Sequence, residues 1–192
     1  MRKVVSFILT LVLVLSLVSG LPMTAKAAQA YKLWIGGVEV TSENCEDIKG
    51  DKITEGKVSY DDATHTITLE DAVISGGSEE SKGSGIYFDS NFPYTIVGAG
   101  EVSGDSGKYS IRYDLSGNIS NASLTIDGAD TDIKSGSIRS SVPFYVENGA
   151  LDVESNSDTA IYVDRSGGFV EISGGTVTTK SYSYGIDAYN GI

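Results

Sequence analysis

The sequence Gly85-Ile86-Tyr87-Phe88 opens a stretch that nearly repeats itself as far as the last residue, Ile192. Similar four-residue runs begin at Ser110, Pro143, Ala160 and Gly185. The central apolar residues of the five runs are Ile86, Ile111, Phe144, Ile161 and Ile186, at intervals of 25, 33, 17 and 25. A period of ~20–50 residues indicates a solenoid, a propeller or another repeat array. Because a propeller blade needs ~40–50 residues, the shorter interval here favours a solenoid.

Other short apolar runs lie between these, separated by Gly, Asn, Asp and Ser. The second runs are Ile67–Leu69, Thr95–Val97, Leu124–Ile126, Leu151–Val153 and Val170–Ile172, and the third centre on Ile74, Val102, Ile133 and Val177. Alternation with period two places one side of a strand in the core and the other outside. About three short strands per ~25-residue coil predict an all-β chain that folds as a parallel β-helix over residues 58–192.

The uneven intervals carry two further expectations. We expect the long coil, from Ile111 to Phe144, to hold a loop at Lys134–Ser141, and the short coil after it to lack its third strand. The repeat stops just inside a further coil, so we also expect the natural chain to continue, with more domains beyond Ile192.

The N-terminal residues have a different character. Arg2 and Lys3 precede an apolar run from Val4 to Val18, and Ala25-Lys26-Ala27 provides small residues for cleavage. This layout predicts a secretory signal peptide over residues 1–27, and hence a secreted or cell-surface protein. Residues 28–57 are expected to cap the first coil, because a terminal repeat has no neighbour on one side.

Two hairpins are expected in this region. Strand-like runs flank Gly36-Gly37, and two more flank Asp61–Thr64. We expect Leu33, Trp34 and Ile35 to close the end of the core, because aromatic and aliphatic side chains bury large apolar areas.

Charge narrows the classes of partner. All 26 acidic residues follow Ala27, whereas three of the 14 basic residues precede it, which leaves 11 and a net charge of −15 after cleavage. Nucleic acids and anionic membranes attract basic surfaces, so neither is an expected partner. The single cysteine, Cys45, cannot form an internal disulfide, and with one histidine it makes a zinc site of the usual type untenable.

The residue that follows each central apolar residue points outward in this register. Tyr87, Arg112, Tyr145 and Tyr162 would therefore form one external row, with Asp187 after them. Tyrosine rings can pack against the C–H faces of sugars and donate a hydrogen bond, and an arginine can bind a carboxylate. The row is a candidate carbohydrate-binding site, although tyrosine also suits an ordinary strand surface.

A second candidate is a set of outward acidic side chains. Asp127, Asp152, Glu154 and Glu171 are candidate calcium ligands, because calcium binds 6–8 oxygen atoms. A solvated acidic face would explain the same residues.

Two segments resemble a known group of proteins. Tyr31–Thr41, followed by Val58-Ser59-Tyr60-Asp61 and Thr66-Ile67-Thr68-Leu69, is similar to the opening of large secreted bacterial surface proteins, and Ile172-Ser173-Gly174-Gly175-Thr176-Val177 is similar to their repeats. These carbohydrate-binding-domain proteins are described as right-handed parallel β-helices related in shape to pectate lyases. The resemblance implies calcium and polysaccharides such as cellulose or pectin as ligands, and assigns no binding residue here.

Three functions follow as expectations. The first is a non-catalytic module that binds polysaccharide on a bacterial surface. The second is a pectin-type lyase or glycosidase, for which no paired acidic cluster is evident in the sequence. The third is a structural solenoid stalk or adhesin.

Overall fold

The computed structural model describes residues 27–116, 121–156 and 159–192. The predicted signal peptide, apart from Ala27, lies outside these described residues. The described chain is all-β and forms a β-solenoid of about four turns, which confirms the predicted fold class. Its coils have three sides, here called faces A, B and C.

Face A is a seven-stranded sheet in the order β16-β13-β10-β7-β5-β1-β2. Its strands are β1 (Ala30–Ile35), β2 (Val38–Thr41), β5 (Ile86–Ser90), β7 (Ile111–Leu115), β10 (Ile138–Ser140), β13 (Thr159–Val163) and β16 (Tyr184–Ala188). From β5 to β16 every neighbouring pair is parallel.

Faces B and C share two long strands, β4 (Thr66–Ser75) and β6 (Pro93–Ser103), which run through the corner between them. Face B continues with β8 (Ser123–Ile126), β11 (Phe144–Val146) and β14 (Val170–Ile172). Face C continues with β9 (Asp132–Ser135), β12 (Ala150–Glu154) and β15 (Thr176–Lys180). The remaining strand, β3 (Ile53–Asp61), is antiparallel to β4 and covers its free edge.

Isoleucines stack in a column inside face A. Ile86, Ile111, Ile138 and Ile161 are paired in register and fully buried, and Ile186 follows them on β16. The second inward column of face A contains Phe88, Tyr113, Ser140 and Val163. Since stacked strands are ~4.8 Å apart, each side chain packs against its equivalents in the neighbouring coils.

The sequence-based register is wrong in the third coil. Phe144 does not belong to the isoleucine column, because β11 pairs with Leu124–Ile126 and Val170–Ile172 on face B. Ile138 takes the expected place, so the intervals become 25, 27, 23 and 25. Residues Lys134–Ser141 were predicted to form a loop, but most of them belong to strands β9 and β10.

A buried serine explains this error. Ser140 occupies the inward position where the other coils carry Phe88, Tyr113 or Val163, and it is fully buried. Its hydroxyl donates to the Val142 carbonyl at 2.8 Å and accepts from the Val142 amide at 3.2 Å. Because this local pairing offsets the cost of burying a hydroxyl, the strand needs no second apolar residue.

The short third coil also keeps its third strand. The run Leu151–Val153, expected on the second side, lies in β12 on face C, in register with Ile133 and Val177. Residues Glu147–Gly149 make the tight corner that leads into it. Gly149 has a φ of 83°, and an added Cβ would lie 2.6 Å from the Thr131 carbonyl oxygen, so this corner requires glycine.

The N-terminal hairpin cap is confirmed. Strand β1 pairs antiparallel with both β2 and β5, and its Leu33 and Ile35 are fully buried against the first coil. Trp34 differs from the expectation, because it is half-buried on the outer side of face A, beside Tyr87. Leu33 and Ile35 therefore close this end of the core, since alternation along β1 turns Trp34 outward.

Candidate functional site

The outer side of face A carries one continuous row of side chains across the coils. Paired residues along it are Trp34, Tyr87, Arg112, Arg139, Tyr162 and Asp187. Tyr87, Arg112 and Tyr162 stand where the sequence placed them, whereas Arg139 takes the position expected for Tyr145. The row thus begins with Trp34 and Tyr87, continues with the two arginines, and ends with Tyr162 and Asp187.

Tyr87 points away from the core but is only 4% exposed. The Trp34 ring lies over it, with centroids 5.5 Å apart, and the Lys82 ammonium is 5.8 Å from its centroid. Its hydroxyl donates to Asp114 at 3.2 Å. Burial, together with the charges of Asp114 and Asp89, raises the pKa of Tyr87 and keeps the hydroxyl protonated. No free ring face is left there for a ligand to stack on.

The two arginines of the row are held by carboxylates from the next outer row. Arg112 donates to Asp114 through Nε at 3.0 Å and Nη2 at 2.8 Å. Arg139 Nη1 donates to Asp114 at 2.5 Å, and its Nη2 donates to Asp164. Ser141 completes the network by donating to Asp164 at 2.9 Å. This bidentate pairing uses much of the hydrogen-bonding capacity that the sequence assigned to a ligand carboxylate.

Asp114 is the centre of that network. Burial raises the pKa of Asp114, but hydrogen bonds and charge from Arg112 and Arg139 outweigh burial, so the net pKa lies below its usual value. The carboxylate is therefore ionised at neutral pH, and three of its neighbours point donors at it. The network links four adjacent coils of face A, from Tyr87 on β5 to Asp164 directly after β13.

An open groove lies beside Tyr162, at the start of the face A strands. Its volume is about 650 Å³, and we call it the tyrosine groove. It is lined by Gly107, Lys108, Tyr109, Ser137, Thr159, Tyr162, Ser183, Tyr184 and Asp187. Its three tyrosines come from three different coils, and Tyr184 is 61% exposed. Aromatic rings with interspersed hydroxyls and charges are the usual lining of a small-molecule or sugar site.

Tyr145 lies away from this groove. It points outward on face B, between Thr125 and Glu171, and its ring packs edge-on against Phe169 with centroids 5.5 Å apart. The structure therefore separates it from the other three predicted carbohydrate residues.

The four predicted calcium ligands are also dispersed. Asp127 follows β8 and accepts from Asn148 at 2.7 Å, a hydrogen bond that lowers the pKa of Asp127 together with one from the Gly128 backbone. Glu171 is on face B, whereas Asp152 and Glu154 are on face C. Glu154 pairs with Lys180 at 2.5 Å.

Within the described ranges, no three His, Cys, Asp or Glu side chains are grouped so as to hold a metal ion. Calcium binding stays a prediction from the sequence, without a shared site for these four residues.

Sequence reasoning missed Tyr109 and Tyr184, and strand alternation could not have found them. Both stand two residues before an isoleucine of the core column, Ile111 and Ile186. Strand alternation turns a residue two positions before an inward isoleucine inward as well, so the pattern would place both rings in the core. The structure instead places them in the groove beside Tyr162. Sequence reasoning also missed Arg139, because the predicted register assigned Phe144, and not Ile138, to the isoleucine column of the third coil.

Comparison with known proteins gives no relative: no family model, curated protein or solved structure matches this chain. Among the residues that the structure describes, no helix is both long and apolar enough to span a membrane. The structure establishes the fold class of the chain, which is a β-solenoid.

Proposed function

We propose that this chain is a secreted, non-catalytic β-solenoid module that binds polysaccharide in the tyrosine groove of face A. The observation that carries the proposal is the groove itself, in which Tyr109, Tyr162 and Tyr184 come from three coils, with Ser137 of the coil between the first two. The export signal predicted for residues 1–27 supports a location where such polymers occur.

The lining suits a sugar polymer for two reasons. Tyrosine rings offer apolar faces to the C–H groups of pyranose rings, and their hydroxyls remain available for hydrogen bonds. Lys108, Ser137, Thr159 and Asp187 add donors and acceptors of both charges along the channel. Because its lining residues lie at four neighbouring strands, β7, β10, β13 and β16, the groove crosses several coils and fits a chain better than a single small molecule.

The charge of the groove also bears on the type of polymer. It contains one lysine and one aspartate, so the lining has no net charge, although the mature chain is strongly acidic. Arg112 and Arg139, which would otherwise favour a polyanion, are occupied by Asp114 and Asp164. We therefore expect neutral polysaccharides to bind more tightly than polygalacturonate.

Affinity electrophoresis in gels that contain hydroxyethyl cellulose or polygalacturonate tests the proposal. The wild-type chain should be retarded by the neutral polymer, and Tyr162→Ala/Tyr184→Ala should weaken binding about a hundredfold, because each lost ring contact is expected to weaken it about tenfold. Tyr182→Ala is the matched control, because Tyr182 is 84% exposed, lies two residues before Tyr184 between β15 and β16, and does not line the groove.

Three results would count against the proposal. Equal retardation of the double variant and wild type would show that the tyrosine groove is not the binding site. Absence of retardation in either gel would favour the structural solenoid. Release of unsaturated products from polygalacturonate would show a lyase instead.

A further inference from the structure

A second groove lies at the N-terminal end of the solenoid, at the corner between faces A and B. Its volume is about 440 Å³. Four segments meet there: the start of β1, the β3–β4 turn, the β5–β6 turn, which brings Asn91 and Phe92, and Ser116 directly after β7. The tyrosine groove shares no residue with it. We call this second site the corner groove.

Aromatic rings form its floor and one wall. The floor consists of Tyr60 and Tyr94, both almost fully buried, with Tyr31 beside Tyr60 at 5.1 Å between centroids. Phe92 forms the wall and stacks on His65 at 5.1 Å with an angle of 24° between the planes. Phe92 is 51% exposed, so His65 covers one side of its ring and much of the rest remains accessible.

The exposed ring is held on a fixed backbone. The Phe92 amide donates to the Ser90 hydroxyl at 3.2 Å, and the Phe92 carbonyl accepts from the Tyr113 hydroxyl at 2.5 Å. Tyr113 is itself fully buried in the core column of face A. An apolar ring that is both exposed and anchored from the core is preorganised for a ligand, because little freedom is lost on binding.

Backbone strain is concentrated at the same groove. Four non-glycine residues in the described ranges have positive φ, and two of them, Lys32 and His65, both at 52°, line the corner groove. A non-glycine residue in this region costs about 1 kcal/mol or more and tends to occur at functional sites. The His65 conformation places Nδ1 3.0 Å from the Tyr60 hydroxyl and its ring under Phe92.

Polar groups surround the rings at the rim. Asp62 approaches the Tyr60 hydroxyl at 3.5 Å and is otherwise exposed, and Gln29, Asn91 and Ser116 add amide and hydroxyl groups. Lys32 and Asp62 balance each other in charge. An accessible apolar ring face with a neutral, hydrogen-bonding rim is the combination that recognises a pyranose ring.

We propose that the corner groove is a second, independent binding site for one or two neutral pyranose units, with Phe92 as the stacking platform and Asp62 as a hydroxyl acceptor. The tyrosine groove would hold the length of a chain, whereas this site, closed on one side by the cap, would hold a short saccharide or a chain end. The proposal does not depend on the function proposed for the tyrosine groove.

The test is a titration of the whole chain with cellobiose, followed by saturation-transfer NMR on the sugar and by amide shifts of the protein. We expect shifts at Asp62–His65 and Ser90–Phe92, and about tenfold weaker binding for Phe92→Ala, the change expected for one lost ring contact. Asp62→Asn should weaken cellobiose binding as well. Phe92→Tyr keeps an aromatic ring at this position and should bind cellobiose as tightly as wild type. Because Phe92 is half exposed and its hydrogen bonds use only backbone atoms, these variants should fold normally.

Tyr162→Ala separates this site from the tyrosine groove, since it should leave cellobiose binding at the corner groove unchanged. The proposal is overturned if cellobiose shifts none of the corner residues, or if it binds Phe92→Ala as tightly as wild type. Choline chloride provides a competing chemistry, because aromatic rings near a carboxylate also suit a quaternary ammonium. Shifts of the corner residues with choline and not with cellobiose would overturn the saccharide assignment.

Discussion

Replacing Asp114 with asparagine should destabilise the solenoid by about 2–3 kcal/mol, because one carboxylate serves three donor side chains. Asp114 accepts from Tyr87 at 3.2 Å, from Arg112 at 2.8 and 3.0 Å, and from Arg139 at 2.5 Å. Asparagine keeps one acceptor oxygen and turns an NH₂ group towards a guanidinium. A hydrogen bond to a charged group contributes ~1.5–3 kcal/mol, and the 23% exposure of Asp114 lets water replace part of the total.

Urea unfolding at pH 7, followed by circular dichroism, measures this change. Asp89→Asn is the matched control, because Asp89 is paired with Asp114 in the neighbouring strand and its carboxylate has no hydrogen bond or ion pair among the described residues. We expect the control to change the free energy of unfolding by less than ~0.5 kcal/mol, as surface substitutions usually do. Equal effects of the two substitutions would show that the arginine network contributes no stability.

The pH dependence gives the same prediction a second readout. The net pKa of Asp114 is lowered in the folded chain, so the stabilisation is present above the unfolded pKa of ~3.9 and is lost as the pH falls through the lower folded value. The difference between wild type and Asp114→Asn should therefore be constant from pH 5 to 8 and should shrink below about pH 4. A difference that persists in acid would mean that charge on Asp114 is not its source.

Two further predictions test the register and the corners. In a Cys45→Ser background, Tyr145→Cys/Glu171→Cys should oxidise to a disulfide that mass spectrometry detects, because the two positions are paired on neighbouring strands at ~4.8 Å. Tyr145→Cys/Tyr162→Cys should stay reduced. The reverse result would support the register predicted from the sequence. Gly149→Ala should lower the urea midpoint of unfolding more than Gly107→Ala does. Both glycines have positive φ, but only a Cβ at 149 would contact backbone, at 2.6 Å from the Thr131 carbonyl oxygen. Equal midpoints for the two variants would contradict this close contact.

The periodic residues predicted the fold because a solenoid repeats its packing. Isoleucines 25 residues apart, each starting a short alternating strand, have a common environment only if the coils stack. Both N-terminal hairpins were likewise predicted, since Gly36-Gly37 and the Asp61–Thr64 turn stand between strand-like runs. The same pattern could not separate Ile138 from Phe144, because both start an alternating strand and the true one continues with a buried serine.

The candidate site was predicted less well than the fold. Tyr162 and Arg112 were placed correctly in the outer row, but their surroundings were not foreseen: Asp114 and Asp164 occupy the arginines, and Trp34 and Lys82 cover Tyr87. The contacts of Arg139 with Asp114 and Asp164, and of Trp34 with Tyr87, join residues 25 or more positions apart along the chain. Strand alternation states which side of a sheet a residue is on and says nothing of what covers it there.

The sequence by itself determined the class of the molecule, an all-β solenoid with a capped N-terminal end, because a repeat of this period can bury its apolar residues only by stacking coils. The tertiary structure alone decided which residues share a face. One slip in the third coil moved Tyr145 to face B and brought Arg139 into the outer row of face A. The two grooves likewise exist only in the folded chain, since each is lined by segments from three or more strands or turns that the coiling brings together.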